Sequence, residues 1–363
     1  MSPRTAAAER RSDTRGVPYD MLAVLFRAPN DAVVEEIPSP RKTRPRHALV
    51  RVEASMVCAT DRKILEGKFP GTVFPHVPGH EFSGEVIEVG EGVSGLEPGT
   101  RVAPEVHVGC GSCDRCREGL YNLCLNYGKL STGHAHIGFT VAGGLAEYVE
   151  VPASALHPLP DSVSYEDGAW TDNLGVALWA LERGRLRAGE RVAVVGSGAI
   201  GLCATQLART MGAASVTLVG RGARLGRAHD LADATVTEAQ AADLGGRFDL
   251  VVEFAGTAEA ARLGLTLARR GGRVVLGGAT GKGVELSGID LSTIVRGHLD
   301  VLGSVANPMG VSGRALEMLG RGLVNVHALT THHFPLRDFD EAWKTFTERR
   351  GGAIRVMLHP GRT

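Results

Sequence analysis

Apolar and polar residues alternate along Ala23 to Glu36, and the alternation breaks at Pro38 and Pro40. It resumes from His47 to Glu53 and again in F-S-G-E-V-I-E-V, Phe82 to Val89. Side chains on a strand point alternately to two faces, so a period of two over short stretches separated by Gly and Pro predicts strands. The first ~160 residues therefore read as strand-rich and loop-rich.

The pattern changes near Tyr165. Glu166 to Leu186 reads as helical, then comes the apolar run Val192 to Val195, a group of glycines and a helical stretch from Leu202 to Met211. Val216 to Val219 and Leu250 to Phe254 are further buried strands, followed by a helical pattern over Ala258 to Arg269. Arg273 to Leu276 and Val301 to Val305 complete the series. Strands alternating with helices predict a doubly wound parallel sheet, so the fold class is α/β. The tail from Val311 carries two helical patterns and ends in a strand, Ile354 to Leu358, able to return to the first domain.

Composition narrows the function. At 363 residues and 43% hydrophobic, the chain fits about two domains. Lys+Arg and Asp+Glu both number 40, which gives no electrostatic case for nucleic acid or an acidic membrane surface. No apolar run approaches the ~18 residues of a membrane span, and no secretory segment is visible. Residues 1–18 are rich in Ala and Arg but include Glu9 and Asp13, so they read as a flexible extension rather than an acid-poor transit peptide. The expected location is cytoplasmic. Six cysteines are present, four of them between Cys110 and Cys124. Without an export signal such a cluster reads as a metal site rather than disulfides.

That cluster is C-G-S-C-D-R-C-R-E-G-L-Y-N-L-C, with Cys110, Cys113, Cys116 and Cys124 as thiols. Each C-x-x-C step lets one tight turn present two thiolates to one ion, and four thiolates close a tetrahedral structural zinc site in a lobe over about 108–126. The same spacing also allows an iron–sulfur cluster or a metal-free loop. A second set is dispersed: Cys58 in S-M-V-C-A-T-D, His80 and Glu81 in P-G-H-E, and Asp172 in W-T-D-N-L-G. One thiolate, one imidazole and one carboxylate can hold zinc and leave room for substrate. Taken singly, such residues are usually core. The third feature is G-S-G-A-I-G: Gly196, Ser197, Gly198, Ala199, Ile200 and Gly201. It follows the strand V-A-V-V and opens a helix, the context in which glycines admit a dinucleotide pyrophosphate to a helix N-terminus.

In this order the three features resemble the zinc-containing medium-chain alcohol dehydrogenase family, its polyol, sorbitol and threonine dehydrogenase branch above all. V-P-G-H-E-F-S-G-E-V-I-E-V-G (Val77 to Gly90) and A-G-G-L-A-E-Y-V (Ala142 to Val149) extend the resemblance. It implies a GroES-like β-rich catalytic domain (19–170 and 308–363) split around an inserted Rossmann domain (171–307). It also implies two zinc ions per chain, one structural and one catalytic. By similarity Cys58, His80 and Asp172 fall at catalytic zinc positions, and Glu81 at a neighbouring carboxylate able to exchange onto the metal. Thr60 falls where a hydroxyl meets the substrate oxygen, and Asp61 where a carboxylate orients His80. Two positions depart from the pattern. Asp172 stands where simple alcohol dehydrogenases have Cys and the polyol branch often Glu. Lys63 stands at the place of a proton-relay His.

The implied reaction moves a hydride between a secondary alcohol (a polyol, sugar or cyclitol) and NAD(P). A zinc-dependent ketone, aldehyde or iminium reductase is the alternative enzyme, and a non-catalytic dinucleotide-binding or structural protein the alternative class. The second dinucleotide-domain strand ends V-T-L-V-G-R-G-A-R-L, with Gly220 where NAD enzymes place an acid. Arg221 follows and Arg224 is near, and guanidinium suits a 2′-phosphate, which favours NADP over NAD. Relatives pair through the strand matching Val301 to Val305, so a homodimer or homotetramer is expected. His134 and His136, His332 and His333, and the charged stretch Lys344 to Arg350 read as solvated, and Cys203 as core.

Overall fold

The computed structural model describes residues 12–280 and 283–361. Of the expected flexible extension, 1–11 lie outside the described residues. The remainder is docked. Ser12 bridges Pro18, Arg15 pairs with Asp13 (2.6 Å) and Glu88 (2.5 Å), and Val17 is buried. The expected single stretch from Ala23 to Glu36 is a hairpin of Asp20–Ala28 and Asp31–Pro38. The chain reverses at Asn30, whose φ of 63° is one that asparagine tolerates.

The main sheet of the β-rich part has seven strands. Its long strand His47–Met56 pairs antiparallel with Glu81–Val89 along one edge. Along the other edge, Tyr148–Pro152 covers its first half, and the tail strand Arg355–His359 docks at Ser55 and Met56. The tail does return, and it seats beside Cys58.

The second sheet has six parallel strands. From edge to edge they are Ala234–Thr237, Ser215–Gly220, Arg191–Val195, Phe248–Glu253, Ala268–Leu276 and Asp300–Gly303. In chain order this is 3-2-1-4-5-6, the doubly wound order whose reversal beside the first strand opens a dinucleotide crevice at the carboxyl ends. Val192, Ala193, Val194 and Val195 are all buried because helices cover both faces.

The helix expected from Glu166 to Leu186 is divided into Tyr165–Gly168 and Thr171–Arg183. At the break the Thr171 hydroxyl donates to the Gly168 carbonyl (2.7 Å), and the Trp170 indole donates to Thr330 (2.9 Å). Thr171–Arg183 packs against Ala199–Thr210 and Val311–Gly320. One apolar cluster joins the two parts, running from Met56, Trp170 and Met357 to Leu202 and Leu218. Trp170 is fully buried in it, and truncation to Ala should cost about 3–5 kcal/mol. Two strands escape the sequence pattern: Ala234–Thr237 alternates over only four residues, and Thr330–Pro335 opens with four polar residues.

Candidate active site

Two chain segments converge on one point. Cys58 follows the strand His47–Met56 by two residues and caps the helix Ala59–Leu65. There its backbone N–H donates to the Asp61 carboxylate (2.8 Å), which satisfies one donor at the helix start. His80 immediately precedes, and Glu81 opens, the strand Glu81–Val89 after Gly79, which has φ 99°. A Cβ on Gly79 would lie 2.6 Å from the Leu145 nitrogen, so only glycine brings the histidine in at this angle. The ligand atoms of Cys58, His80 and Glu81 all lie within 4.8 Å of one another.

The surroundings orient these donors. Asp61 Oδ1 stands 3.4 Å from His80 Nδ1, and His80 Nε2 faces Glu81 Oε1 at 3.7 Å. Arg355, from the tail strand, donates to Glu81 Oε1 (2.7 Å), to Asn173 and to the Val57 carbonyl (3.2 Å). Burial pushes the Cys58 thiol up, but the His80 and Arg355 charges outweigh it and bring the thiol down to about 6. Burial opposes charge on His80, yet the Cys58 thiolate and Asp61 hold its pKa well above the ordinary imidazole value. Burial drives the Glu81 carboxyl well up, with Arg355 pulling it back. Glu81 Oε2 is buried without a hydrogen-bond partner among the described residues. A thiolate, an imidazole and an incompletely satisfied carboxylate around one point form a donor set that suits zinc.

Asp172 starts the helix Thr171–Arg183 but is outside the 4.8 Å group. Its carboxyl is pushed up to about 6 by burial, which the His80 charge partly offsets and Glu81 reinforces. The carboxylate that shares a point with Cys58 and His80 is therefore Glu81, brought there by its direct bond to His80 in the chain. Thr60 Oγ1 is 3.8 Å from Cys58 Sγ. Lys63 reaches across to donate to the Ala279 carbonyl (3.1 Å), tying the two sides of the cleft together.

Cys58, Thr60 and Arg355 line a cavity of about 260 Å³ with Gly198, Ala199, Ile200 and Gly201. The glycines divide the work. Gly196 makes the turn at φ 115°, and a Cβ on Gly201 would lie 1.8 Å from the Gly196 carbonyl. At Gly198, which caps the helix Ala199–Thr210, a Cβ would meet nothing within 4 Å, leaving that face open to a ligand. A neighbouring cavity of about 310 Å³ shares Gly198, Arg224, Phe254 and Ala255, and includes Ser197, Gly220 and Arg221. A Cβ on Gly220 would lie 2.4 Å from Ser197 Oγ, so no acid fits there without a shift of that hydroxyl. Arg221 is exposed, whereas Arg224 is half-buried and donates to the Ala353 carbonyl (2.9 Å).

The four lobe thiols also lie within 4.8 Å of one another, with Cys110–Cys116 at 3.9 Å and Cys113–Cys124 at 4.0 Å. Zinc–sulfur bonds of about 2.3 Å separate tetrahedral ligands by about 3.8 Å, so the cluster is sized for one ion. Hydrogen bonds from Ser112 and Asn126 bring the Cys110 thiol down to about 5.

Several functional positions escaped the sequence reading. Arg355 holds Glu81 and also donates to Asn173, and Arg349, read as part of a solvated helix, lines the cavity with Arg221. His134 and His136 are buried, not solvated; His136 bonds the Tyr127 hydroxyl (2.6 Å) and stacks on Phe139, which packs on His80. An arginine in an apolar strand or a histidine in a glycine-rich loop gives no local signal of such a place.

Comparison with known proteins agrees with this geometry. The alcohol dehydrogenase GroES-like domain matches residues 44–161, and the zinc-binding dehydrogenase domain matches 199–319. Sorbitol dehydrogenase of Bombyx mori is 30% identical over 353 residues, covering 93% of this chain and 98% of the relative. D-arabitol-phosphate dehydrogenase of Enterococcus avium is 30% identical, covering 94% of each. A solved structure from Sinorhizobium meliloti 1021, bound to NADP, matches with a TM-score of 0.86 at 32% identity, covering 94% of this chain and 99% of that one. The chain belongs to the zinc-containing medium-chain alcohol dehydrogenase family, within its polyol dehydrogenase branch.

Proposed function

We propose that the protein transfers a hydride between the carbinol carbon of a secondary alcohol of the polyol class and NADP, using zinc held by Cys58, His80 and Glu81. The observation carrying this reading is that the ligand atoms of these three residues lie within 4.8 Å of one another and that one of them, Cys58, lines a single cleft with the glycine loop. Zinc bound there supplies Lewis acidity toward the substrate oxygen, and the nicotinamide supplies the hydride acceptor.

The chain's own residues do the rest. Asp61, 3.4 Å from Nδ1, orients the His80 ring so that Nε2 faces Glu81. Arg355 restrains one oxygen of Glu81 and leaves the other for a ligand. Asp172 is near enough to feel both. Thr60, beside Cys58, accepts the hydroxyl proton and passes it outward. Lys63, committed to the Ala279 carbonyl, holds the cleft rather than relaying protons. The four-cysteine lobe carries a second, structural zinc.

Arg221 and Arg349 beside the open ribose end support NADP, because guanidinium groups grip a 2′-phosphate. The domain assignment is a catalytic unit of 19–170 and 308–363 around a dinucleotide unit of 171–307. Asp300–Gly303 is an edge strand with Val301 exposed, and Val305 just beyond it is exposed too, which supports pairing with a second copy through this edge. No helix among the described residues is long and apolar enough to cross a membrane. Six unpaired thiols suit a reducing, cytoplasmic setting.

The test is reduced-nicotinamide formation by purified protein against a panel of polyols, polyol phosphates and cyclitols, with NADP and NAD in parallel. Turnover of a secondary alcohol that disappears on metal removal is expected. Metal-independent turnover, or none across the panel in either direction, contradicts the reading.

A further inference from the structure

A third group of metal-ligating side chains lies away from both zinc positions. Glu166 sits in the helix Tyr165–Gly168, His333 in the strand Thr330–Pro335 and His359 at the end of Arg355–His359. Those two strands pair in parallel, with His333 opposite Met357 and His359 opposite Pro335. The imidazoles stack with centroids 5.4 Å apart and planes 12° apart.

One atom from each residue meets the others. His333 Nδ1 is 3.2 Å from His359 Nε2, His359 Nε2 is 3.4 Å from Glu166 Oε1, and His333 Nδ1 is 3.8 Å from that same oxygen. A point about 2.0 Å from all three atoms lies within this triangle, and that is the bond length zinc takes to imidazole nitrogen and carboxylate oxygen. One tautomer of His359 suits coordination. In the neutral ring, His359 Nδ1–H donating to the Glu53 carbonyl (3.4 Å) leaves the lone pair on Nε2, toward the other two donors. His359 is 4% exposed and Glu166 25%, while His333 is 41% exposed, so the donors are held from one side and reachable from the other. A cavity of about 290 Å³, lined by Glu53, Tyr165, Glu166 and His359, adjoins them and leaves space for a water ligand.

We propose that Glu166, His333 and His359 form a third metal site, which takes zinc or a similar borderline divalent cation with solvent in the remaining position. The site clamps the C-terminal strand pair to the segment that leads into Thr171–Arg183. It does not depend on the reaction proposed above, since none of its residues lines the cleft.

The test is titration of zinc alone into protein whose cysteine-containing sites are already filled. Wild type should take up one further equivalent at about 10 µM zinc or below, and its thermal midpoint should rise. His333→Ala and Glu166→Gln should each weaken that uptake by about tenfold or more and abolish the thermal response. Dehydrogenase activity in both variants should stay within about twofold of wild type, which also shows that they fold. A wild type that takes up no further equivalent, or variants that bind it as tightly as wild type, overturns the proposal.

Discussion

The two cysteine-containing metal positions are built in opposite ways. The lobe draws its four thiols from 15 consecutive residues, Cys110 to Cys124, and its geometry is set by local turns. The cleft site draws Cys58, His80 and Glu81 from the ends of two paired strands, and its support from a tail residue almost 300 positions on in sequence, Arg355. A local site can exist wherever its segment folds. A dispersed site exists only once the sheet is paired and the tail has docked, so its chemistry reports on the whole fold.

Substitutions sharpen that contrast. The largest effect on activity is expected from Cys58→Ser: turnover should fall about 10³-fold or more with the thermal midpoint nearly unchanged, read by steady-state kinetics beside calorimetry. Cys113→Ser should do the reverse. It removes part of a closed site of a kind that contributes about 10–16 kcal/mol in small zinc-binding peptides, so stability and soluble yield should drop while any folded fraction keeps its kcat. If both variants lose stability alike, the local and dispersed sites are not independent. Asp61→Asn should weaken zinc at the cleft by about 10–100-fold, measured by chelator competition, and leave the lobe metal in place. The smallest effect is expected at the cofactor: Arg221→Ala should raise the KM for NADP by about tenfold and leave NAD unchanged. Equal changes for both cofactors would remove the arginine argument.

The same contrast explains what could be read from sequence. The lobe and the glycine loop were legible because their ligand spacing is encoded within a few residues, and the parallel strands because burial on both faces makes them continuously apolar. Cys58, His80, Glu81 and Asp61 were recoverable only through resemblance. Spacing alone could not tell that Glu81, rather than Asp172, would share a point with the other two. Arg355 looked like a polar interruption of a strand, because its partners Glu81 and Asn173 are distant in sequence. The reversal at Asn30 and the break at Trp170 were missed for a related reason. The hairpin turn is marked only by the short run Pro29-Asn30-Asp31 without glycine, and the helix is interrupted at a packed, apolar tryptophan.

The most direct test of the cleft site is anomalous diffraction at the zinc edge from crystals of the protein with dinucleotide bound. A peak about 2.3 Å from Cys58 Sγ and about 2.1 Å from His80 Nε2, with a Glu81 oxygen in range and the nicotinamide facing it, is the predicted result. Density for zinc in the four-cysteine lobe but none between Cys58 and His80 would contradict it.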